Sequence, residues 1–328
     1  THPERLNKHS DEIKDLEREV TLFHVKAVKE TLEKFKSSVD FIGFHGQTIF
    51  HDSEKKISKQ IGDGKLLSQL TKKKVIYNFR KNDLENGGQG APLTPIFHNV
   101  LANKIDKKFS LGFPLNILNI GGISNITSTI RWENFGRIDK IYAFDIGPGN
   151  CLIDEWIRKN SKNKYDDKGS IARSGKVDKL ILNQALENFN IGPPYEDSLD
   201  IKDFDISFAK GLSLENGTST LADFTSSQIS KALNYFKDPE KNTIFLVCGG
   251  GRKNKYLMNS ISKSVGTIKD LKKINFYPIE KHGIDGDFVE SQAFGYLAIR
   301  SFLNLPISFP STTRCKNPVT GGVMVKNF

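Results

Sequence analysis

Cysteine, methionine and tryptophan are scarce, at three, two and two in 328 residues. Cys151, Cys248 and Cys315 are odd in number, far apart and form no C-x-x-C pair. That excludes a disulfide-stapled domain and a cysteine zinc site, and it fits a reducing compartment. Apolar runs are short, such as Ile244–Cys248, against the roughly 20 residues needed to cross a bilayer. Thr1–Lys8 has no apolar core of the kind a signal peptide carries. Three catalytic signatures are also missing: G-x-x-x-x-G-K-[ST], G-x-G-x-x-G and G-x-S-x-G. A Walker P-loop, a Rossmann dinucleotide site and a serine-hydrolase elbow are thereby not expected.

What is present points to a globular chain. Hydrophobic residues at 37% and charged residues at 26% suffice for a packed core and exclude a disordered chain, a collagen and a coiled-coil rod. The length suggests two domains at roughly 150 residues each. The net charge is 48 − 38 = +10. It comes mostly from lysines spread along the chain. The densest run, Lys72–Lys74, is short and precedes an apolar strand-like segment. No basic face is interleaved with aromatics, so neither a nucleic acid nor a membrane is expected as partner.

Helix periodicity runs over residues 10–36, with Ser10 as its cap. Strands are expected at 39–44, 58–63 and 74–79, and a short helix at 66–70. Gly87, Gly88, Gly90 and Pro92 force a loop over 86–93. After residue 114 come strands at 115–120, 123–127, 142–146, 243–248 and 274–277. Helices are expected at 152–158, 175–186, 221–237, 254–262 and 287–303. Strands alternating with helices give an α/β class. The expected domains are residues 1–113 and 114–328, with the C-terminal helix packing back on the first.

Three apolar strands end in glycine turns: at Gly121-Gly122, at Gly147 and Gly149, and at Gly249-Gly250-Gly251. Such turns let backbone N–H groups approach phosphates, so three in one α/β chain point to a nucleotide. Asp145 stands at a strand end beside Gly147. It reads either as a general base or Mg²⁺ positioner, or as a turn-capping residue. His45, His51 and His98 have no metal-ligand spacing, and no metal site is expected. Arg80 and Asp83 read as contacts to a substrate carboxylate or hydroxyls, or as a surface ion pair. Glu290, in a first helical turn, reads as a dipole-favoured cap or a substrate contact. Cys248, in an apolar strand, reads as core.

Taken in order, several segments carry a resemblance. They are Gly43-Phe-His-Gly-Gln-Thr48, Gln60-Ile-Gly-Asp63, Asn78-Phe-Arg80 with Asp83, and Gly87-Gly-Gln-Gly-Ala-Pro-Leu93. Then come Leu118-Asn-Ile-Gly-Gly-Ile-Ser-Asn125, Phe144-Asp-Ile-Gly-Pro-Gly-Asn150, Val247-Cys-Gly-Gly-Gly-Arg-Lys-Asn254 and Gly283-Ile-Asp-Gly-Asp-Phe-Val-Glu290. This set resembles the anhydro-N-acetylmuramic acid kinase family of bacterial cell-wall recycling. The resemblance implies two RNase H-like lobes of the actin/hexokinase/Hsp70 type facing a nucleotide cleft.

It also implies conversion of 1,6-anhydro-N-acetylmuramic acid, water and ATP to N-acetylmuramic acid 6-phosphate and ADP. Asp145 would be the base. Arg80, Asp83, Gln60 and Glu290 would contact the sugar, as would His45 and Gln47. Gly121 and Gly122 would form a phosphate hairpin, Gly249, Gly250 and Gly251 would lie by the adenosine, and Gly147, Gly149, Asn150 and Asn254 would also bind the nucleotide. ATP and Mg²⁺, a cytoplasmic location and a homodimer follow from the same resemblance. The family's opening G-T-S-x-D-G-x-D motif has no match here. The first lobe is therefore expected to be N-terminally incomplete, and a non-catalytic binding relative or an inactive fragment is the alternative reading. The stretch Pro193–Asp200 departs from the family pattern and is assigned no role.

Overall fold

The computed structural model describes residues 9–131, 140–189, 198–233, 236, 242–267 and 274–328. It opens with α1 (Ser10–Lys34), β1 (Phe41–Phe44), β2 (Gln47–Asp52), β3 (Ile57–Ile61), α2 (Gly64–Thr71), β4 (Lys74–Tyr77), α3 (Lys81–Glu85) and α4 (Pro95–Phe109). Next come β5 (Leu115–Ile120), β6 (Ile123–Ser128), β7 (Tyr142–Pro148), α5 (Cys151–Asn160), α6 (Ser170–Ser174), α7 (Lys179–Asn188) and α8 (Leu214–Leu233). The described elements end with β8 (Thr243–Cys248), α9 (Lys255–Thr267), β9 (Ile274–Pro278), α10 (Val289–Phe302), α11 (Pro310–Thr313) and β10 (Val323–Val325). Ser10, expected as a cap, is the first helical residue of α1, and His9 occupies the N-cap. Strands β2 and β10 were not expected. Residues 193–197 of the Pro193–Asp200 stretch lie outside the described residues.

Two compact units form: residues 1–97 with 290–328, and residues 98–289. The boundary expected near residue 113 thus falls at 97/98, inside α4. The reason is side-chain chemistry. From His98 onward the helix bonds to the second unit: His98 Nδ1 shares a hydrogen bond with Thr127 Oγ1 at 2.8 Å, and Asn99 Oδ1 accepts from the Ile130 amide at 2.8 Å. Residues 290–328, beyond the second unit, group with the first.

In the first unit β4 lies between β1, parallel to it, and β10, antiparallel. β2 and β3 form a separate antiparallel pair. Val25, Phe44, Leu67 and Val75 make the core between α1, α2 and the sheet. Asp63 caps α2, accepting from the amides of Lys65 and Leu66.

The second unit holds a five-stranded sheet in the order β7-β6-β5-β8-β9. β6 is antiparallel to both neighbours, and β5, β8 and β9 are mutually parallel. The sheet is mixed and packed by helices, in keeping with the α/β class expected. β5 reads Leu-Asn-Ile-Leu-Asn-Ile, buried at five of six positions, as befits a central strand covered on both faces. One cover includes Trp156, Phe224 and Leu257, and each such buried side chain contributes about 1.5–3 kcal/mol. Helix α8 is rich in buried Thr and Ser. Those at 218, 219, 220 and 230 donate to carbonyls four residues back; Ser219 also bonds the Ala172 carbonyl at 2.6 Å, and Thr220 Oγ1 accepts from the Asp178 amide at 3.0 Å.

Candidate functional site

Strand direction decides where the glycine turns fall. β5 and β8 are parallel, and β7 is antiparallel to β6, which is antiparallel to β5. The carboxyl ends of β5, β7 and β8 therefore share one edge of the sheet, the edge where open α/β sheets bind ligands. The turns at Gly121-Gly122, Gly147–Gly149 and Gly249–Gly251 meet there. The Gly122 carbonyl accepts from the Gly149 and Cys151 amides at 2.8 and 3.1 Å, and the Gly121 carbonyl from the Asn150 amide at 2.8 Å. A Cβ on Gly149 would overlap the Gly121 carbonyl oxygen, so this approach requires glycine. Gly249 has φ +79°, and a Cβ there would press on the Ile120 carbonyl at 2.6 Å.

Asp145 is half-buried within β7, three residues before the strand's end. Its Oδ2 accepts from the Leu199 amide at 2.8 Å, which fixes the carboxylate's orientation. The register shifts beside it: Asn125 faces Asp145 while Ser124 faces Gly147, leaving Ile146 as a bulged residue. Such a bulge re-aims the side chains around it. Asn150 donates from Nδ2 to the Gly121 carbonyl at 3.1 Å. Asn254 is buried and caps the start of α9, its Oδ1 accepting from the Leu257 amide at 3.0 Å. Both asparagines thus shape turns, a supporting place that their spacing alone did not reveal.

The first unit repeats the logic on a smaller scale. β1 and β4 are parallel, so the residues after them, His45 and Arg80, share an edge. Arg80 Nε donates to His45 Nε2 at 3.0 Å, and Arg80 Nη1 to the Gly90 carbonyl at 2.8 Å. Asp83 is buried. Its Oδ2 accepts from the Gly90 amide at 2.6 Å and its Oδ1 from Thr313 Oγ1 at 2.6 Å. Asp83 therefore holds the 87–90 loop rather than forming a surface ion pair. Lys56 Nζ donates to the Gly87 and Gly88 carbonyls at 3.1 and 3.0 Å. On the hairpin, Gln60 donates to Ser58 Oγ at 2.7 Å and Thr48 Oγ1 at 3.2 Å, while exposed Gln47 donates to the Thr48 carbonyl at 3.2 Å. Glu290 stands exposed in the first turn of α10.

The structure brings His45, Arg80 and Asp83 together around the Gly90 loop, and Asp145 together with the glycine turns of the second unit. Sequence reasoning missed Lys56, Thr313, the Leu199 amide and Arg252. Arg252 lay inside a motif already noted. Thr313 is 230 residues from Asp83 and left no signal. Alanine at position 83 would leave the Gly90 amide unpaired in a buried site and the Thr313 hydroxyl with only its long 3.4 Å contact to the Phe309 carbonyl. The expected loss is about 2–3 kcal/mol of urea stability; an unchanged unfolding midpoint would refute this support for the loop.

Burial, and then the Arg80 charge, pushes the His45 pKa down to about 3. His45 is neutral near pH 7, with Nδ1–H donating to the Gly46 carbonyl at 3.0 Å and Nε2 accepting from Arg80. An unfolded histidine titrates near 6.5, so between pH 6.5 and about 3 the unfolded chain binds a proton the folded chain refuses. This contribution is complete above pH 6.5 and shrinks as pH falls through that window. His98, fully buried, is pushed to about 4 and acts with the same sign. Asp154, raised by burial to about 6, acts oppositely as pH rises from 3.8 to 6. His45→Gln should flatten the stability profile between pH 7 and 5 in urea titrations. A slope equal to wild type would mean that His45 takes up a proton in the folded state.

The class these features define is that of α/β proteins with glycine turns gathered on one sheet edge. The sequence profile of the anhydro-N-acetylmuramic acid kinase family matches residues 5–327. An anhydro-N-acetylmuramic acid kinase of Pelagibacter ubique is 52% identical over 330 aligned residues, covering 98% of this chain and 84% of that protein. Those of Rhizobium etli and Rhodospirillum rubrum are 39% and 38% identical, covering 97% and 95% of this chain and 82% and 78% of theirs. The chain belongs to the anhydro-N-acetylmuramic acid kinase family. No described helix is long and apolar enough to cross a membrane.

Proposed function

We propose that this protein converts 1,6-anhydro-N-acetylmuramic acid, water and MgATP to N-acetylmuramic acid 6-phosphate and ADP. The observation that carries the reading is Asp145, oriented by the Leu199 amide on the sheet edge where three glycine turns meet. Family membership supplies the substrate class.

In this reading Asp145 takes a proton from a water that attacks C1 of the sugar. The C1–O6 bond breaks, and its electron pair stays on O6. O6 attacks the γ-phosphorus, the bond from that phosphorus to the β–γ bridging oxygen breaks, and ADP leaves. Little covalent work falls to the protein; positioning and charge neutralisation dominate. The Gly121-Gly122 and Gly147–Gly149 turns are assigned to the phosphates, and Gly249–Gly251 to the adenosine side. His45, Arg80 and the loop that Asp83 holds are assigned to the sugar, with Gln47, Gln60 and Glu290 as further contacts. Arg80 keeps its charge at every physiological pH and suits the lactyl carboxylate.

Among the described residues no group of three His, Cys, Asp or Glu side chains is placed to hold a metal ion. Mg²⁺ is read as entering with ATP, bound through phosphate oxygens and water. A substrate from wall turnover and the use of ATP together favour a cytoplasmic site of action, and a homodimer is the assembly the family reading favours.

The test is turnover in ¹⁸O-water followed by mass spectrometry. The expected product is phosphorylated and carries one ¹⁸O at C1. Unlabelled phosphosugar would rule out attack of water on C1, and no product with MgATP would rule out the kinase reading.

A further inference from the structure

Arg252 belongs to no role so far assigned. Its side chain is 4% exposed, yet it carries a full charge. It lies in the 3-10 turn Gly250–Lys253, directly after the glycine turn on β8. β9 runs parallel to β8, so the turn that follows β9 reaches the same edge of the sheet. That second turn, residues 279–287, brings three carboxylates. Arg252 Nε donates to Glu280 Oε1 at 2.6 Å, and Nη2 lies 2.5 Å from the same oxygen. Nη1 donates to Asp287 Oδ1 at 3.0 Å, and Asp285 Oδ1 lies 4.0 Å from Nη2. The remaining bond goes to the glycine turn: Nη1 donates to the Gly249 carbonyl at 2.8 Å. Lys253 Nζ meets Asp287 Oδ2 at 2.5 Å from outside.

One planar guanidinium thus spans two loops. A lysine has no rigid fork with which to hold a carbonyl and two carboxylates at once. The acidic turn is also built around the guanidinium, since a Cβ on Gly286 would come within 2.5 Å of Arg252 Nε. Burial works to raise the Glu280 pKa, but the Arg252 hydrogen bond and charge, together with backbone hydrogen bonds, outweigh it and hold the carboxyl below its usual range. A charge that served only solubility would not be sunk beneath two turns.

We infer that Arg252 is a positioning residue for the nucleotide. It ties the Gly249 carbonyl to the 280–287 turn and so sets the conformation that Gly249–Gly251 presents to the adenosine. The inference rests on the reading of that turn as the adenosine side. Arg252 itself acts through the turn rather than on the transferred phosphoryl group.

The experiment compares wild type with Arg252→Met, Arg252→Lys and the double variant Glu280→Gln/Asp287→Asn, which loosens the clamp from its exposed side. The expected result for Arg252→Met is a KM for MgATP raised about tenfold, with kcat and the sugar KM within about twofold, the pattern of lost nucleotide binding. Arg252→Lys and the double variant should rise about threefold, and preference for ATP over GTP should narrow in parallel. A merely structural role would reduce the folded fraction and lower apparent kcat without moving the ATP KM or the base preference. Equal rises in both KM values, or an unmoved ATP KM in the double variant, would overturn the inference. If Arg252→Met does not fold, the other two proteins decide. ADP affinity measured calorimetrically without sugar should fall in the same order. That measurement stands even if wild type turns over no anhydro-sugar, so failure of the clamp and failure of the kinase reading are separable.

Discussion

Asn in place of Asp145 should lower kcat by about 10³-fold, within the range a positioned general base contributes. The change preserves shape, and an amide oxygen can still accept from the Leu199 N–H that holds Oδ2 at 2.8 Å. Nucleotide and sugar affinities should therefore stay within a few-fold of wild type, because the glycine turns and the Arg80 loop are untouched. The measurement pairs steady-state turnover with calorimetric ADP binding. A kcat within tenfold of wild type would remove Asp145 from the role of base. Lost ADP binding would instead mark it as part of the scaffold.

Gly149→Ala should cost about 4 kcal/mol and most of the turnover, at the upper end of what overpacking exacts. The added methyl would overlap the Gly121 carbonyl oxygen and come within 3.2 Å of that of Gly122. Those carbonyls accept from the Gly149, Asn150 and Cys151 amides. The whole hairpin must move for the methyl to fit, so three hydrogen bonds are at stake besides the clash. Chemical unfolding should show the loss in the unit formed by residues 98–289, with the other unit's transition little changed. Wild-type stability in this variant would mean that the two turns do not press on each other in solution.

Much of the second unit was legible. Three of its strands, β5, β7 and β8, are largely apolar runs stopped by glycine, and both features are local. The place of Asp145 on the sheet was legible for the same reason, as a carboxylate just before a glycine turn, while its role as base awaits the kcat test above. The first unit was harder to read. β2 carries Gln47, Thr48, His51 and Asp52 and lacks the apolar signature of a buried strand, because it pairs only with β3. β10 is three residues long, and its place beside β4 depends on a partner about 250 positions away. The boundary was misplaced because α4 looks like one helix, and nothing local says that its first turn serves one unit and the rest another. The places of Asp83 and Arg252 needed their partners. Thr313 and Glu280 become neighbours only on folding, and periodicity carries no trace of such pairs.

The first unit's split in sequence has a consequence for biosynthesis. Residues 98–289 contain every strand of their own sheet, so this unit can close while the chain is still being made. The earlier segment cannot. β4 lacks its antiparallel neighbour, and Asp83 lacks Thr313, until residues 290–328 have left the ribosome. The part translated first is completed last, reversing the usual N-terminal-first order. During elongation β4 offers an open edge, the feature that invites wrong pairing. The stretch of translation from residue 98 to the last strand is thus the interval in which this nascent chain most needs shielding by chaperones.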